Sequence, residues 1–185
     1  RGTIMNYASI MAGFGGQGIL MIGNLLSIGA LEQGLGCTYF PSYGVEMRGG
    51  TANCTVTISD KEVGSPVTAR PDGVVAMNGP SVDKFGPRVK EGGFLLINTD
   101  MAQDETFSKD GVEVLRIRCN TIAAELCNGK LASMVALGAF LAKTGIVTID
   151  SVVQALPRVL PEKAHKLIPL NEEALRAGAK YAADN

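Results

Sequence analysis

Ser9-Ile10-Met11-Ala12-Gly13-Phe14-Gly15-Gly16-Gln17-Gly18-Ile19 is the stretch that decides the fold. A short apolar run, Ser9 to Ala12, ends at Gly13 and reads as a buried strand. Gly13–Gly18 then matches G-x-G-x-x-G, and Ile19 to Gly34 reads as a helix. Leu20, Leu25, Leu26 and Leu31 supply its core stripe, and Gly34 ends it. A strand that passes through a glycine turn into a helix is the opening of a βαβ unit.

Outward from there the same alternation continues. Cys37-Thr38-Tyr39-Phe40 reads as a second strand stopped by Pro41. Thr51 to Ile58 alternates strictly, with Ala52, Cys54, Val56 and Ile58 on one side and Thr51, Asn53, Thr55 and Thr57 on the other. One polar face suits an antiparallel strand, and Glu62-Val63-Gly64 is the expected return arm of a hairpin after the Ser59-Asp60-Lys61 turn. Buried-type strands follow at Gly73–Met77, Gly93–Ile97 and Val112–Ile117, with a short helix near Val82–Val89. Asn120–Ala142 reads as helix interrupted near Asn128-Gly129. The tail after Thr148 reads as helical fragments punctuated by Pro157, Pro161 and Pro169, the last capped by Asn171 with Glu172 and Glu173 in its first turn. The expectation is an α/β fold: a three-layer Rossmann-like domain with a mostly parallel sheet and an antiparallel strand or hairpin over 51–64. One domain over 1–185 is expected, with its core at about 8–145 and a helical tail over 148–183.

Composition narrows the function. Of 185 residues 46% are hydrophobic and 19% charged, which excludes a disordered polyampholyte. A net charge of −1 leaves no global field to gather nucleic acid or an anionic membrane. The longest apolar run, Leu131–Ala142, is too short for the roughly 20 residues of a membrane span, and a cytoplasmic protein is expected. Cys37, Cys54, Cys119 and Cys127 are widely spaced, so they read as reduced, small buried hydrophobes rather than cluster or zinc ligands. His165 is alone and reads as a solvated surface residue, which leaves no Ser–His or Cys–His pair. No catalytic residue and no metal ligand set is found in the sequence.

Three segments carry candidate chemistry. Gly13, Gly15, Gly16, Gln17 and Gly18 let backbone approach a phosphate or carboxylate at a helix N-terminus, or serve only tight strand–helix packing. The dinucleotide version of this motif wants an acid at the end of the second strand, where Phe40-Pro41-Ser42 stands instead. Tyr43-Gly44-Val45-Glu46-Met47-Arg48-Gly49-Gly50 combines an aromatic, an acid, a base and glycines; Arg48 forks onto an anion, or pairs with Glu46 within a surface loop. Asn78, after Ala76-Met77, reaches the same sheet edge or caps the following helix.

These three motifs, with Met134-Val135-Ala136-Leu137-Gly138-Ala139 after them, resemble the gamma subunit of 2-oxoacid:ferredoxin oxidoreductases, in that family's order and across residues 13–139. The resemblance implies a subunit of an enzyme that oxidatively decarboxylates a 2-oxoacid to acyl-CoA and CO2 and passes the electrons to ferredoxin. Thiamine diphosphate, Mg2+ and iron–sulfur clusters are implied for the complex, on alpha, beta and delta-type subunits, with no cofactor held by this chain alone. Gly13, Gly15, Gly16, Gln17, Gly18, Tyr43, Glu46, Arg48, Gly49, Gly50 and Asn78 become candidates for contact with coenzyme A or with a partner subunit. An isolated chain is expected to self-associate through its exposed interface. Two other readings stand beside this one: a stand-alone Rossmann-type oxidoreductase, and a structural subunit without ligand contact.

Overall fold

A computed structural model describes residues 5–43, 50–102, 106–126 and 129–185. It contains a six-stranded sheet in the order β2-β3-β1-β4-β5-β6. Strands β1 (Asn6–Phe14), β4 (Gly73–Ala76), β5 (Phe94–Asn98) and β6 (Glu113–Ile117) run parallel. Strand β3 (Thr51–Ser59) lies between β1 and β2 (Gly36–Tyr43) and is antiparallel to both. The α/β, Rossmann-like expectation holds, with the antiparallel element at the foreseen place.

Helices cover the two faces unequally. One face carries α1 (Ile19–Glu32), α3 (Cys119–Glu125), α4 (Ala132–Thr144), α5 (Ile149–Val159) and α6 (Ile168–Asp184), packed over Met11, Val56, Val75, Leu96 and Ile117. The other face has α2 (Gly79–Phe85) and the 3-10 turn Gly86–Arg88, over Ile10, Ala12, Val74, Leu95 and Ile97. The sheet is therefore the middle of three layers, and the central strands are buried on both sides as their unbroken apolar runs require.

Helices α4 and α6 cross at a pair of glycines. A Cβ on Gly138 would lie 1.8 Å from the Leu175 carbonyl oxygen, and one on Gly178 would lie 1.9 Å from that of Val135. The two backbones touch, which only residues without a Cβ permit.

Several local expectations need correction. Leu31 is 48% exposed, whereas Leu25 and Leu26 are fully buried. It lies about 140° around the helix from Leu26, off the face that carries Ile22, Leu26 and Ala30. Strand β2 continues through Pro41 to Tyr43, because it is an edge strand and tolerates a residue without N–H. No strand forms at Glu62-Val63-Gly64; β3 makes its hairpin with β2, which precedes it. On the polar side of β3, Thr55, Thr57 and Ser59 are buried, Asn53 is half-buried and Thr51 is exposed. Asn171 does not cap α6. The helix starts at Ile168 with Pro169 in its first turn, and Asn171, buried, donates from Nδ2 to the Leu167 carbonyl at 2.7 Å. His165 is half-buried, with Nε2 3.0 Å from the Leu160 carbonyl oxygen. The break between α3 and α4 falls where foreseen, at a 3-10 turn Gly129–Leu131, although Cys127 and Asn128 lie outside the described residues.

Candidate functional site

The glycine motif begins inside β1. Gly13 and Phe14 pair with Ala52 and Thr51 of β3, so the turn proper is Gly15–Gly18. Gly18 is the N-cap of α1 with φ of 79°, and no side chain caps the helix. A Cβ at Gly13 would lie 2.6 Å from Gln17 Oε1, so this glycine makes room for the Gln17 side chain to fold back. That side chain is the clamp of the turn. Its Oε1 accepts from Phe14 N at 2.6 Å and from Asn78 Nδ2 at 3.3 Å, while Nε2 donates to the Met77 carbonyl at 3.4 Å. Gln17 thereby ties the end of β1 to the residues that follow β4.

Asn78 fulfils both of its sequence readings. Its Oδ1 accepts from Ser81 N at 3.0 Å and caps α2, and its amide reaches Gln17 at the same edge. The edge network extends to Asn98, which the sequence reading missed. Asn98 is fully buried; its Nδ2 donates to Met77 O at 3.4 Å and Asn120 Oδ1 at 2.9 Å, and its Oδ1 accepts from Cys119 N at 3.1 Å. The available signal was positional: Asn98 follows Ile97 at a strand end much as Asn78 follows Met77. Asp100, two residues on, accepts from Thr121 N at 2.7 Å and Thr121 Oγ1 at 2.9 Å. Burial pushes its carboxyl up, but the bonds from Thr121 and Arg118 outweigh this and hold it below its ordinary value.

The second motif joins the first. Gly15 N donates to the Gly50 carbonyl at 2.9 Å, which seats the start of β3 against the glycine turn. Tyr43 is the last residue of β2, whereas Glu46, Arg48 and Gly49 lie outside the described residues. Gly16 borders a cavity on each side. One, of about 370 Å³, is largely apolar and is bounded by Phe14, Gly18, Leu20, Met21, Gly50 and Ala52. The other, of about 480 Å³, lies between Gly16, Gln17 and Met77 on one side and Asn120, Lys130 and Ala132 on the other. The N-termini of α1 and α4 both approach this place, and neither has a side-chain cap. Ser133, in the first turn of α4, is fully buried and its Oγ has no hydrogen-bond partner; it lies 2.5 Å from where a Cβ on Gly18 would be. The turn is less of an open anion nest than its glycines suggest, since the amides of Phe14, Gly15 and Gln17 are engaged within the protein. What remains for a ligand is the first turn of α1, with its dipole.

The described thiols are held toward their protonated form. Cys54 is pushed up to about 12 by burial, and burial pushes Cys37 and Cys119 up as well. Among the described residues, no group of three or more His, Cys, Asp or Glu is placed to hold a metal ion. Among the same residues, no helix is long and apolar enough to cross a membrane.

Comparison with known proteins supplies the family. The model described as pyruvate ferredoxin/flavodoxin oxidoreductase matches residues 8–181, nearly the whole chain. The chain belongs to this family. Within the family, it is 37% identical over 177 residues to the ketoisovalerate oxidoreductase subunit VorA of Methanothermobacter thermautotrophicus, covering 95% of this chain and 36% of that protein. It thus spans about a third of the VorA length. It is 32% identical over 154 residues to the 2-oxoglutarate synthase subunit KorC of Methanocaldococcus jannaschii, covering 82% of each. Among solved structures, the gamma subunit of the keto/oxoacid ferredoxin oxidoreductase of Geobacter sulfurreducens superposes with a TM-score of 0.81 at 28% identity, covering 97% of this chain and 99% of that one. A 2-oxoglutarate:ferredoxin oxidoreductase from Magnetococcus marinus, with 2-oxoglutarate, coenzyme A and succinyl-CoA bound, shares the fold with a TM-score of 0.87 at 23% identity; the match covers 97% of this chain and 31% of that one. For a family member, the order of the motifs matters as much as their content. The glycine turn, Gly50 and Asn78 adjoin different strands and meet at one edge of the sheet.

Proposed function

We propose that this chain is the gamma-type component of a 2-oxoacid:ferredoxin oxidoreductase. The complex oxidatively decarboxylates a 2-oxoacid with coenzyme A to give acyl-CoA and CO2, and two electrons leave one at a time to ferredoxin. The observation that carries the reading is the bond from Gly15 N to Gly50 O. It ties Gly50, the last residue of the second motif, to the glycine turn at the carboxyl end of β1, the edge at which α/β sheets receive ligands. The family membership and the coenzyme A named for the Magnetococcus enzyme support the choice of ligand.

In this reading the chain binds and positions; it does not supply the reacting groups. Thiamine diphosphate with Mg2+ would supply the carbanion chemistry, and iron–sulfur clusters the one-electron steps, both on alpha, beta and delta-type partners. Among the described residues, the thiols do not fit a cluster site: Cys54 and Cys119 are buried apart from one another, and burial pushes both up. Gly16 and Gly18 let a phosphate of coenzyme A approach the backbone donors in the first turn of α1, with Arg48 as its counter-charge. The largely apolar cavity beside Leu20 and Met21 suits the uncharged arm of the same molecule. Gln17, Asn78 and Asn98 hold these donors in register.

The test is to capture this chain with its native partners and follow viologen reduction across a panel of 2-oxoacids. Reduction that requires coenzyme A and travels with the chain supports the reading, and Arg48→Ala should then raise the apparent KM for coenzyme A with little change in kcat. A chain that carries no such activity, and binds NAD(H) tightly by titration calorimetry, would return Gly13–Gly18 to the stand-alone dinucleotide reading.

A further inference from the structure

The cavity of about 480 Å³ has three polar side chains at its border, those of Gln17, Asn120 and Lys130. Backbone groups of known polarity fix which way the amides among them face. The Cys119 N–H can only donate, and the Met77 carbonyl can only accept. Asn98 therefore turns Oδ1 to the first, at 3.1 Å, and Nδ2 to the second, at 3.4 Å. The same Nδ2 lies 2.9 Å from Asn120, so the atom it meets there is the oxygen, Oδ1. Asn120 Nδ2 is left on the other arm of the amide, with no acceptor among the described residues. It is not sealed in the interior, and Asn120 as a whole is half-buried.

Gln17 is fixed by the same logic. The Phe14 N–H holds its Oε1 at 2.6 Å, and Nε2 gives one hydrogen to the Met77 carbonyl at 3.4 Å and keeps the other. That carbonyl is an acceptor beside the cavity, and Gln17 and Asn98 already occupy it. Lys130 is exposed and brings an ammonium, which has donors only. None of the described residues that border the cavity is acidic. The polar side chains here thus offer N–H groups, two of them oriented in advance by bonds to rigid backbone, with one positive charge beside them. Donors that need no reorganisation favour a partner that is charged and purely accepting. We propose that this cavity binds the anionic group of a small molecule, a carboxylate or a doubly ionised phosphate monoester, with Asn120 Nδ2 as a direct contact. The proposal goes beyond the oxidoreductase reading, which places its anion at the first turn of α1 and gives Asn120 no part.

The test uses the 185-residue chain, by chemical-shift titration of backbone and side-chain amides at about pH 8, where a phosphate monoester is doubly ionised. The probes are acetate and methyl phosphate, with acetamide and methylammonium as uncharged and cationic controls, all at constant ionic strength in sodium chloride. The expected result is a saturable shift of the Asn120 side-chain amide with acetate, methyl phosphate or both, and none with the controls. The anion that binds more tightly identifies the group. Asn120→Asp keeps the oxygen that accepts from Asn98 and replaces only the outward N–H, so it should fold as the parent does and bind at least about tenfold more weakly. Lys130→Met alters an exposed side chain and should weaken binding about two- to fivefold. No saturable shift at Asn120 with either anion, an equal shift with acetamide, or unchanged titrations in both variants would each overturn the proposal. The oxidoreductase reading would survive that failure, since it is tested by viologen reduction in the complex.

Discussion

Replacing Gly138 by alanine pits two opposite effects against each other, and the structure decides which wins. Alanine is the better helix former by about 1 kcal/mol, so propensity alone makes Gly138→Ala stabilising. At this position, however, the added methyl would sit 1.8 Å from Leu175 O and 2.6 Å from its carbonyl carbon, where ordinary contact begins near 3.4 Å. Relief requires α4 and α6 to separate by about 1.6 Å, because both atoms are backbone and no side chain can turn aside. A gap of 0.5–1 Å already forfeits about a quarter to a half of the dispersion energy of the atoms concerned. Val135, Leu137, Ala139, Ala174 and Leu175 all belong to the core affected. Overpacking typically costs about 1–3 kcal/mol, and a backbone clash belongs at or above the top of that range.

The net expectation for Gly138→Ala is a loss of at least about 2 kcal/mol, which lowers the Tm of a chain this size by about 4–8 °C. Gly178→Ala should behave alike, since its methyl meets Val135 O at 1.9 Å. The double variant should cost less than the two singles together, as one separation relieves both clashes. Gly79→Ala, with nothing within 4 Å of its Cβ position, provides the neutral control. Thermal unfolding followed by circular dichroism reads all four. A Gly138→Ala chain that melts at or above the parent temperature would refute the reasoning.

Gly18→Ala places a methyl 2.5 Å from Ser133 Oγ at a φ of 79°, so it should destabilise by about 1–3 kcal/mol, and Ser133→Ala added to it should recover part of the loss. Ser133→Ala alone, which removes an unpaired buried hydroxyl, should leave urea stability unchanged or raise it. Gln17→Leu strips Phe14 N of its acceptor and should cost about 1–3 kcal/mol, with faster amide exchange at Phe14 and in the Asn78 side chain. Cys54 is pushed up to about 12 by burial, so its contribution is fully present below the thiol's ordinary value and is lost as pH rises from about 9 towards 12. The urea midpoint should fall over that window, and less steeply in Cys54→Ala.

How far the sequence carried this reading follows from what each element depends on. Strands β1, β4 and β5 were legible because both faces are buried and each apolar run is unbroken. The alternation at 51–58 showed that β3 is antiparallel, yet it misassigned the partner, since alternation reports faces and not neighbours. Which of its threonines are buried, Thr55 and Thr57 but not Thr51, depends on neighbours that are not local in sequence. Asn171 had a cap's sequence but not its position, because Pro169 starts the helix a turn earlier. At the candidate site, glycines announced themselves by number and spacing. Asn98 and Ser133 did not, since their roles depend on strands and helices brought together only by the fold.

The glycines of the site and the glycines of the helix crossing form one mechanical unit. Helix α4 carries both: Gly138 against α6 in its middle, and Ser133 against Gly18 in its first turn. They stand five positions apart on a continuous helix, about 7.5 Å along its axis, too short to bend freely. The N-terminus of α4 also bounds the larger cavity, through Ala132, and its Ser133 holds the cap of α1 from beneath. A tilt of α4 that relieves an alanine at 138 therefore moves the wall from which the first turn of α1 would meet a ligand. The close crossing is thus expected to set the wall of the candidate site as well as to stabilise the core.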